Sequence, residues 1–85
     1  MTKIRKLLEQ VLRGSGNVSF ADVLTLLDAL GFRLARKKGS HHIFRRAGVN
    51  ELINIQNFGG KIKTYQLRQL VSIIERYGLD VGDGK

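Results

Sequence analysis

The stretch Phe32–Gln56, FRLARKKGSHHIFRRAGVNELINIQ, decides the fold, because the helical spacing that precedes it gives way here to a period of two. Phe32, Leu34 and Arg36 alternate with Arg33, Ala35 and Lys37, which is typical of a strand. The following turns and strands are predicted, in chain order, at Gly39–Ser40, His41–Arg46, Ala47–Asn50 and Glu51–Gln56. Such short connections join antiparallel neighbours, so the sequence predicts a three-stranded antiparallel sheet.

Three helices are predicted around this sheet. Apolar residues at i, i+3, i+4 and i+7 predict a first helix over Ile4–Leu12, with Thr2 as its cap and Gly14–Asn17 after it. A second helix begins at Ser19, in a capping-box pattern with Asp22, and ends at Gly31. The third is predicted from an N-cap at Thr64 to a last turn ending at Gly78. The fold class is therefore α+β in the order α-α-β-β-β-α, with helices on one face of the sheet.

Length and composition limit the class of protein. The chain has 85 residues, enough for a single domain, and no cysteine, so no disulfide or thiolate chemistry is available. Its first residues lack the continuous apolar segment of a signal peptide, and no apolar run is long enough to span a bilayer. We expect a cytoplasmic protein without a membrane partner.

Positive charge is concentrated in the middle of the chain. Lys and Arg number 15 against 7 Asp and Glu, and between Arg33 and Arg68 nine cations stand against the single acid Glu51. A local basic field of this kind favours a nucleic-acid surface. The alternatives are a solvated basic face, or a face that docks an acidic protein. The candidate RNA-binding residues are Lys37, Lys38, Ser40, Arg45, Arg46, Lys61 and Lys63.

Both histidines of the chain, His41 and His42, lie among these cations. Adjacent strand residues point to opposite faces, and no third histidine or cysteine exists, so a metal site is disfavoured. A Ser40–His42 nucleophile lacks an orienting acid. Proton transfer during cleavage of an RNA backbone suits a histidine surrounded by phosphate-binding cations. Base stacking on Phe58 or Tyr65 is a weaker possibility.

The segments GFRLARKKGSHHIF, Asn54–Gln56 and Gly60–Lys61, followed by the helix to Leu79, resemble the HicA (YcfA-like) toxin family. The resemblance runs from about Val18 to Leu79. It implies a double-stranded-RNA-binding-domain-like core over 18–79, with 1–14 as an extra N-terminal helix. The remaining residues, 80–85, are predicted to be a frayed tail.

The resemblance also implies a function, that of an mRNA interferase neutralised by a HicB-type antitoxin. It places one catalytic histidine after the Gly39–Ser40 turn, at His41 by preference or at His42. Members of the family often have His-Pro at the end of the second strand, where this chain has Arg46-Ala47. The sequence thus predicts a toxin that cleaves mRNA with a histidine and without metal or small-molecule cofactor; a non-catalytic RNA-binding module is the alternative.

Overall fold

A computed structural model of the protein describes residues 3–14 and 18–81. The elements, in chain order, are α1 (Lys3–Leu12), α2 (Phe20–Ala29), β1 (Arg33–Lys38), β2 (His41–Arg45), β3 (Ile53–Gln56) and α3 (Thr64–Tyr77). The predicted α+β class and the order of helices and strands are confirmed. Thr2, the predicted cap, and the turn residues 15–17 lie outside the described residues.

The three strands form one antiparallel sheet in the order β1-β2-β3. Lys38 pairs with His41 across a two-residue turn in which Gly39 has φ +59°. A glycine with positive φ at the first turn position is typical of tight hairpins, whose twist matches that of the strands. The register of β1 shifts between Leu34 and Arg36, which marks a bulge in this strand.

Both ends of α2 follow the sequence prediction. The Ser19 hydroxyl accepts a hydrogen bond from the Asp22 backbone N–H at 3.0 Å, which satisfies one of the free donors of the first turn. At the other end Gly31 has φ +93°, and the Phe32 N–H donates to the Leu27 carbonyl at 2.9 Å. This is the hydrogen bond of a Schellman ending, which requires a left-handed residue and therefore favours glycine.

Other predicted boundaries are wrong by one or two residues. The N-cap of α3 is Lys63, which makes no side-chain capping bond, and Thr64 is the first helical residue. Strand β2 ends at Arg45, and β3 begins at Ile53 where Glu51 was expected. The end of α3 is as predicted, with Gly78 in the left-handed conformation at φ +61°.

The core lies between the helices and the β2–β3 side of the sheet. Its fully buried members come from α1, α2, β3 and α3, and they include Val11, Val23, Leu26, Leu27, Ile53, Ile55 and Leu70. Strand β1 lies outside this core, since all six of its residues are exposed. Leu34 is 51% exposed, although its alternation with cations is that of a half-buried strand.

Helix α1 is part of the packed structure. Leu8 and Val11 belong to the core, and α1 contacts both α2 and α3. The chain after α3 returns to α1, where Arg5 forms an ion pair with Asp80 at 3.2 Å and Val81 is only 4% exposed. The predicted fraying is therefore wrong for Asp80 and Val81, because burial and an ion pair hold them, and residues 82–85 lie outside the described residues. No helix in the described part is long and apolar enough to cross a membrane.

Candidate functional site

Strand β2 places the two histidines on opposite faces of the sheet. His42 pairs with Ile55 of β3, and alternates with the buried Phe44, so it faces the helices. His41 pairs with Gln56 and lies on the exposed face. A single small ligand therefore cannot contact both rings from one side of the sheet.

The His42 ring is held by two contacts. Its Nδ1 lies 3.2 Å from the carbonyl oxygen of Ser40, and its ring meets Phe20 edge to face, with the centroids 5.0 Å apart and the planes at 62°. A carbonyl oxygen can only accept, so the Nδ1–H donates and the neutral ring carries its lone pair on Nε2. The half-buried ring is thereby fixed in both orientation and tautomer.

The His41 ring is more exposed and has a side-chain partner. Its Nδ1 lies 3.2 Å from Oδ1 of Asn54 in β3. An amide oxygen accepts a hydrogen bond as a carbonyl does, but an amide side chain can also rotate and present its NH₂. Among the described residues, none bonds to Nε2 of either histidine.

Strand pairing brings two of the predicted cations next to the histidines. Lys37 pairs with His42 and Lys38 with His41, and both lysines are exposed. Arg45 pairs with Arg33 at the far end of the hairpin, roughly 13 Å along the strand from His41. Arg45 therefore extends the basic surface without adjoining either ring.

Arg46 differs from the other predicted RNA-binding cations. Its Nε donates to the Leu30 carbonyl at 2.7 Å, and its Nη1 donates to the Ala47 carbonyl at 3.0 Å. The guanidinium thus supplies a donor and a positive charge at the C-terminal end of α2, where helix carbonyls lack partners. A Cβ atom at position 31 would lie only 3.1 Å from the Nε of Arg46, so the Arg46 side chain also fills the space beside the helix end. Its side chain is thereby committed to the fold.

A second basic segment follows β3. Phe58 and Lys61 exchange two backbone hydrogen bonds of 2.9 and 3.1 Å around Gly59 and Gly60. This turn is tied to the start of α2, because the Phe20 N–H donates to the Gly60 carbonyl at 2.9 Å and Lys61 bridges to Ser19. Lys61 consequently joins the side of the domain on which Phe20 contacts His42. The Lys63 ammonium lies 5.1 Å from the centre of the Phe58 ring.

Four residues of this region were missed by the sequence prediction: Phe20, Asn54, Gln56 and Gln66. Gln66 is buried in α3, and its Oε1 accepts the Gln56 backbone N–H at 2.9 Å; the Gln56 side chain then donates to the Ser40 hydroxyl at 3.3 Å. The period of two could have identified Asn54 and Gln56, since they alternate with Ile53 and Ile55. A polar residue beside Leu67 and Leu70 on the apolar face of α3 was a further signal.

The rest of the described surface offers no comparable site. Within residues 3–14 and 18–81, no three His, Cys, Asp or Glu side chains lie together as possible metal ligands. A cleft of about 250 Å³ lies between the end of α1 and α3, lined in part by Leu12, Arg68 and Val71, and none of the predicted site residues lines it. Glu51 lies in the connection that precedes β3, where hydrogen bonding from the Tyr77 hydroxyl lowers the pKa of its carboxyl below 4.5, and Arg76 pairs with it.

Comparison with known proteins gives a match to a family model. No curated protein and no solved structure matched the chain. A family model described as "HicA toxin of bacterial toxin-antitoxin" matches residues 20–79, from the first residue of α2 to just beyond α3. That span contains the β1–β2 hairpin, residues 33–45, which carries both histidines and is called the histidine hairpin below; α1 lies outside the match. The chain belongs to the HicA toxin family of bacterial toxin–antitoxin systems.

Proposed function

We propose that this toxin is a cytoplasmic endoribonuclease that cleaves mRNA without a metal ion, with a histidine of the β1–β2 hairpin as its general base. The observation that carries the proposal is the hydrogen bonding and the surroundings of the His42 ring. Its Nδ1 is engaged by the Ser40 carbonyl, Nε2 has no bond to any described residue, and Lys37 lies on the paired strand. An oriented imidazole with an unbonded Nε2 beside cations suits proton abstraction next to a phosphate.

The reaction follows from these groups. Nε2 takes the proton of a ribose 2′-hydroxyl, the O2′ attacks the adjacent phosphorus, and the bond to the 5′-oxygen breaks. The 5′-oxygen leaves with a proton, supplied by the protonated histidine or by water, and the other product carries a 2′,3′-cyclic phosphate. General base catalysis of this kind contributes roughly 10²–10⁴-fold. Charge on the phosphorane oxygens would be stabilised by the nearby lysines.

His42 is preferred to His41 on the basis of its contacts. Packing against Phe20 and a backbone carbonyl acceptor fix the His42 ring, and a catalytic group must be held close to its working position. His41 has greater exposure and a rotatable amide as its partner. The sequence favoured His41, and His41 remains the alternative that the experiment below separates from His42.

The phosphate-binding set that we propose is Lys37, Lys38, Arg45, Lys61 and Lys63, with Ser40 at the turn. Arg46 was predicted from sequence to belong to it, but its two bonds to backbone carbonyls support a structural role. Without Arg46 the set still contains lysines in two places, in β1 and in the segment after β3. These cations are also the groups that an acidic antitoxin surface would neutralise, and we propose a HicB-type antitoxin as that partner.

Induction of the wild-type chain beside His41→Ala and His42→Ala tests the proposal. Growth and mRNA integrity are measured in the same cultures, and thermal unfolding of each purified variant verifies that it folds. We expect wild type and His41→Ala to arrest growth and degrade mRNA, and His42→Ala to do neither. The opposite pattern would assign the base to His41. Intact RNA with all three chains, each folded, would identify a non-catalytic RNA-binding module.

The chemistry is tested separately on purified protein. Cleavage is expected to persist in EDTA and to yield products that end in a cyclic phosphate. If EDTA abolishes cleavage and Mg²⁺ restores it, the metal-independent mechanism is wrong, whichever histidine is required.

A further inference from the structure

Phe58 is an aromatic side chain held in solvent by a rigid turn. It is 61% exposed, although its backbone is closed by two hydrogen bonds to Lys61. Gly59 and Gly60 have φ of +61° and +84°, as a type I′ turn requires at both central positions. The Asn57 side chain accepts the Gly60 N–H at 2.7 Å and stiffens the turn further.

The same turn is fastened to the histidine hairpin. The Asn57 N–H donates to the Ser40 carbonyl at 3.2 Å, and that carbonyl is also the acceptor for His42. Phe58 follows Gln56, the pairing partner of His41, by two residues, so its Cα lies roughly 7 Å along the chain from that pair. This length is close to the separation of neighbouring nucleotides in an extended strand. The backbone at Phe58 therefore lies about one nucleotide length from His41, the alternative base, and it is tied to the proposed base, His42, through the shared Ser40 carbonyl.

Charge around the ring fits a nucleic acid. The Lys63 ammonium lies 5.1 Å from the ring centre, and Lys61 closes the turn that carries Phe58. Stacking needs an exposed ring, and a phosphate needs a cation within reach of that ring. An isolated exposed apolar residue would need no explanation. Here the ring, the turn that fixes it and two lysines lie together beside the histidine hairpin.

We infer that Phe58 is a stacking platform for one unpaired nucleobase of the RNA that is cut, next to the scissile phosphate. The inference rests on the proposed function and deepens it, because it makes the substrate single-stranded at the cleavage site. A base inside a duplex already has stacked neighbours on both faces and cannot stack on the Phe58 ring. Unpaired bases are the usual targets of aromatic side chains in RNA-binding proteins.

The experiment measures binding of a short fluorescein-labelled single-stranded RNA to full-length chains with both histidines replaced by alanine, which prevents cleavage. Into this background we introduce Phe58→Leu, Phe58→Trp and, as a matched control, Leu52→Ala, an exposed apolar residue (55%) beyond the other end of β3. Stacking is worth about 1–3 kcal/mol per base, so Phe58→Leu should weaken binding roughly 5- to 150-fold. Phe58→Trp should retain or improve binding, and Leu52→Ala should leave it unchanged.

An abasic series identifies the base. Removal of one base at a time from the RNA should reveal one position at which the parent chain loses affinity and at which Phe58→Leu costs nothing further. Equal binding by the parent and Phe58→Leu, or a loss that persists on every abasic RNA, would overturn the inference while the nuclease proposal stands. If Phe58→Leu binds RNA as the parent chain does but no longer binds the antitoxin, Phe58 belongs to the protein interface and the inference is also wrong. If the parent chain binds no RNA, both proposals fail.

Discussion

Strands β1 and β3 are the two edges of one sheet, and they have opposite surroundings. Every residue of β1 is exposed and four of its six are Lys or Arg, whereas β3 contributes Ile53 and Ile55 to the core. The free edge of β3 is covered by α3, where buried Gln66 accepts the Gln56 N–H. The fold is therefore stabilised on the β3 side, whereas β1 contributes exposed cations, Lys37 and Lys38, to the proposed phosphate-binding set. Strand β2 lies between them and carries both histidines.

The largest expected effect compares two residues of one cross-strand row. Leu34 pairs with Phe44, and Phe44 pairs with Ile53, so Leu34 and Ile53 lie at the two edges of the same row. Ile53→Ala should lower the free energy of unfolding by about 2–5 kcal/mol, because it leaves a cavity in the core. Leu34→Ala should change it by less than about 0.5 kcal/mol.

Urea unfolding of both variants measures the difference. Similar losses at the two positions would mean that β1 is packed in solution, and the contrast between the edges would then be wrong.

A smaller effect is expected when the cover of the β3 edge is removed. Gln66→Leu replaces the buried amide with an apolar side chain and leaves the Gln56 N–H without its acceptor, and a buried unsatisfied donor costs about 1–3 kcal/mol. Gln69→Leu makes the same exchange on the exposed face of α3 and should be nearly neutral.

Thermal unfolding distinguishes the two glutamines. Because Gln56 also donates to the Ser40 hydroxyl, Gln66→Leu should additionally slow RNA cleavage. Equal stability of the two variants would exclude a role for Gln66 in covering the edge.

The difference between the two edges could be predicted only in part from the sequence. Period-two alternation located the strands, and Gly31 and Gly78 located helix ends, because these signals act within a few residues. Alternation could not reveal that the helices pack toward β3, so the exposure of Leu34 was not predictable. It also made Leu52 part of β3, although that residue is exposed and precedes the strand.

The candidate site shows the same limit. The cations and both histidines were recognisable from the sequence, because Lys37 and Lys38 precede the Gly39–Ser40 turn and the histidines follow it. Arg46 was grouped with the phosphate-binding residues because its partner, the Leu30 carbonyl, lies 16 residues away in sequence. The contact of Phe20 with His42 likewise joins residues from different elements. Such contacts depend on how α2 packs on the sheet, which no local pattern determines.

The β1 edge should affect RNA binding while leaving stability intact. In a chain with both histidines replaced, Lys37→Gln with Lys38→Gln should weaken binding of single-stranded RNA and reduce its salt dependence. The logarithm of the binding constant falls linearly with the logarithm of the salt concentration, and each lost phosphate contact reduces the steepness of this line by about 0.7. Free energy of unfolding should change by less than about 0.5 kcal/mol, because both side chains are exposed.

The matched control removes the same charge from α1, as Lys3→Gln with Lys6→Gln, at two exposed positions of a helix outside the family match. Binding titrations at several salt concentrations give both slopes. An equal reduction by the two double variants would indicate that net charge alone governs binding, and the special role of β1 would be lost.

The smallest expected effect concerns the connection that leads into β3. The Tyr77 hydroxyl donates to Glu51 at 2.6 Å, and this bond, with Arg76 nearby, lowers the pKa of the Glu51 carboxyl below its ordinary value of 4.5. Because the folded protein binds this proton less readily than the unfolded chain, ionised Glu51 favours folding. That contribution is complete above pH 4.5 and is lost as the pH falls through the lowered pKa.

The free energy of unfolding is measured from neutral pH to well below 4.5. Its values for wild type and Glu51→Gln should differ most at neutral pH and should converge in acid. Tyr77→Phe removes the main cause of the lowered pKa and should shift the convergence toward the ordinary value. Leu34→Ala, on β1, should parallel wild type at every pH. Parallel curves for Glu51→Gln would mean that this carboxylate contributes nothing to the β3 side, whose stability would then come from apolar packing and the Gln66 bond alone.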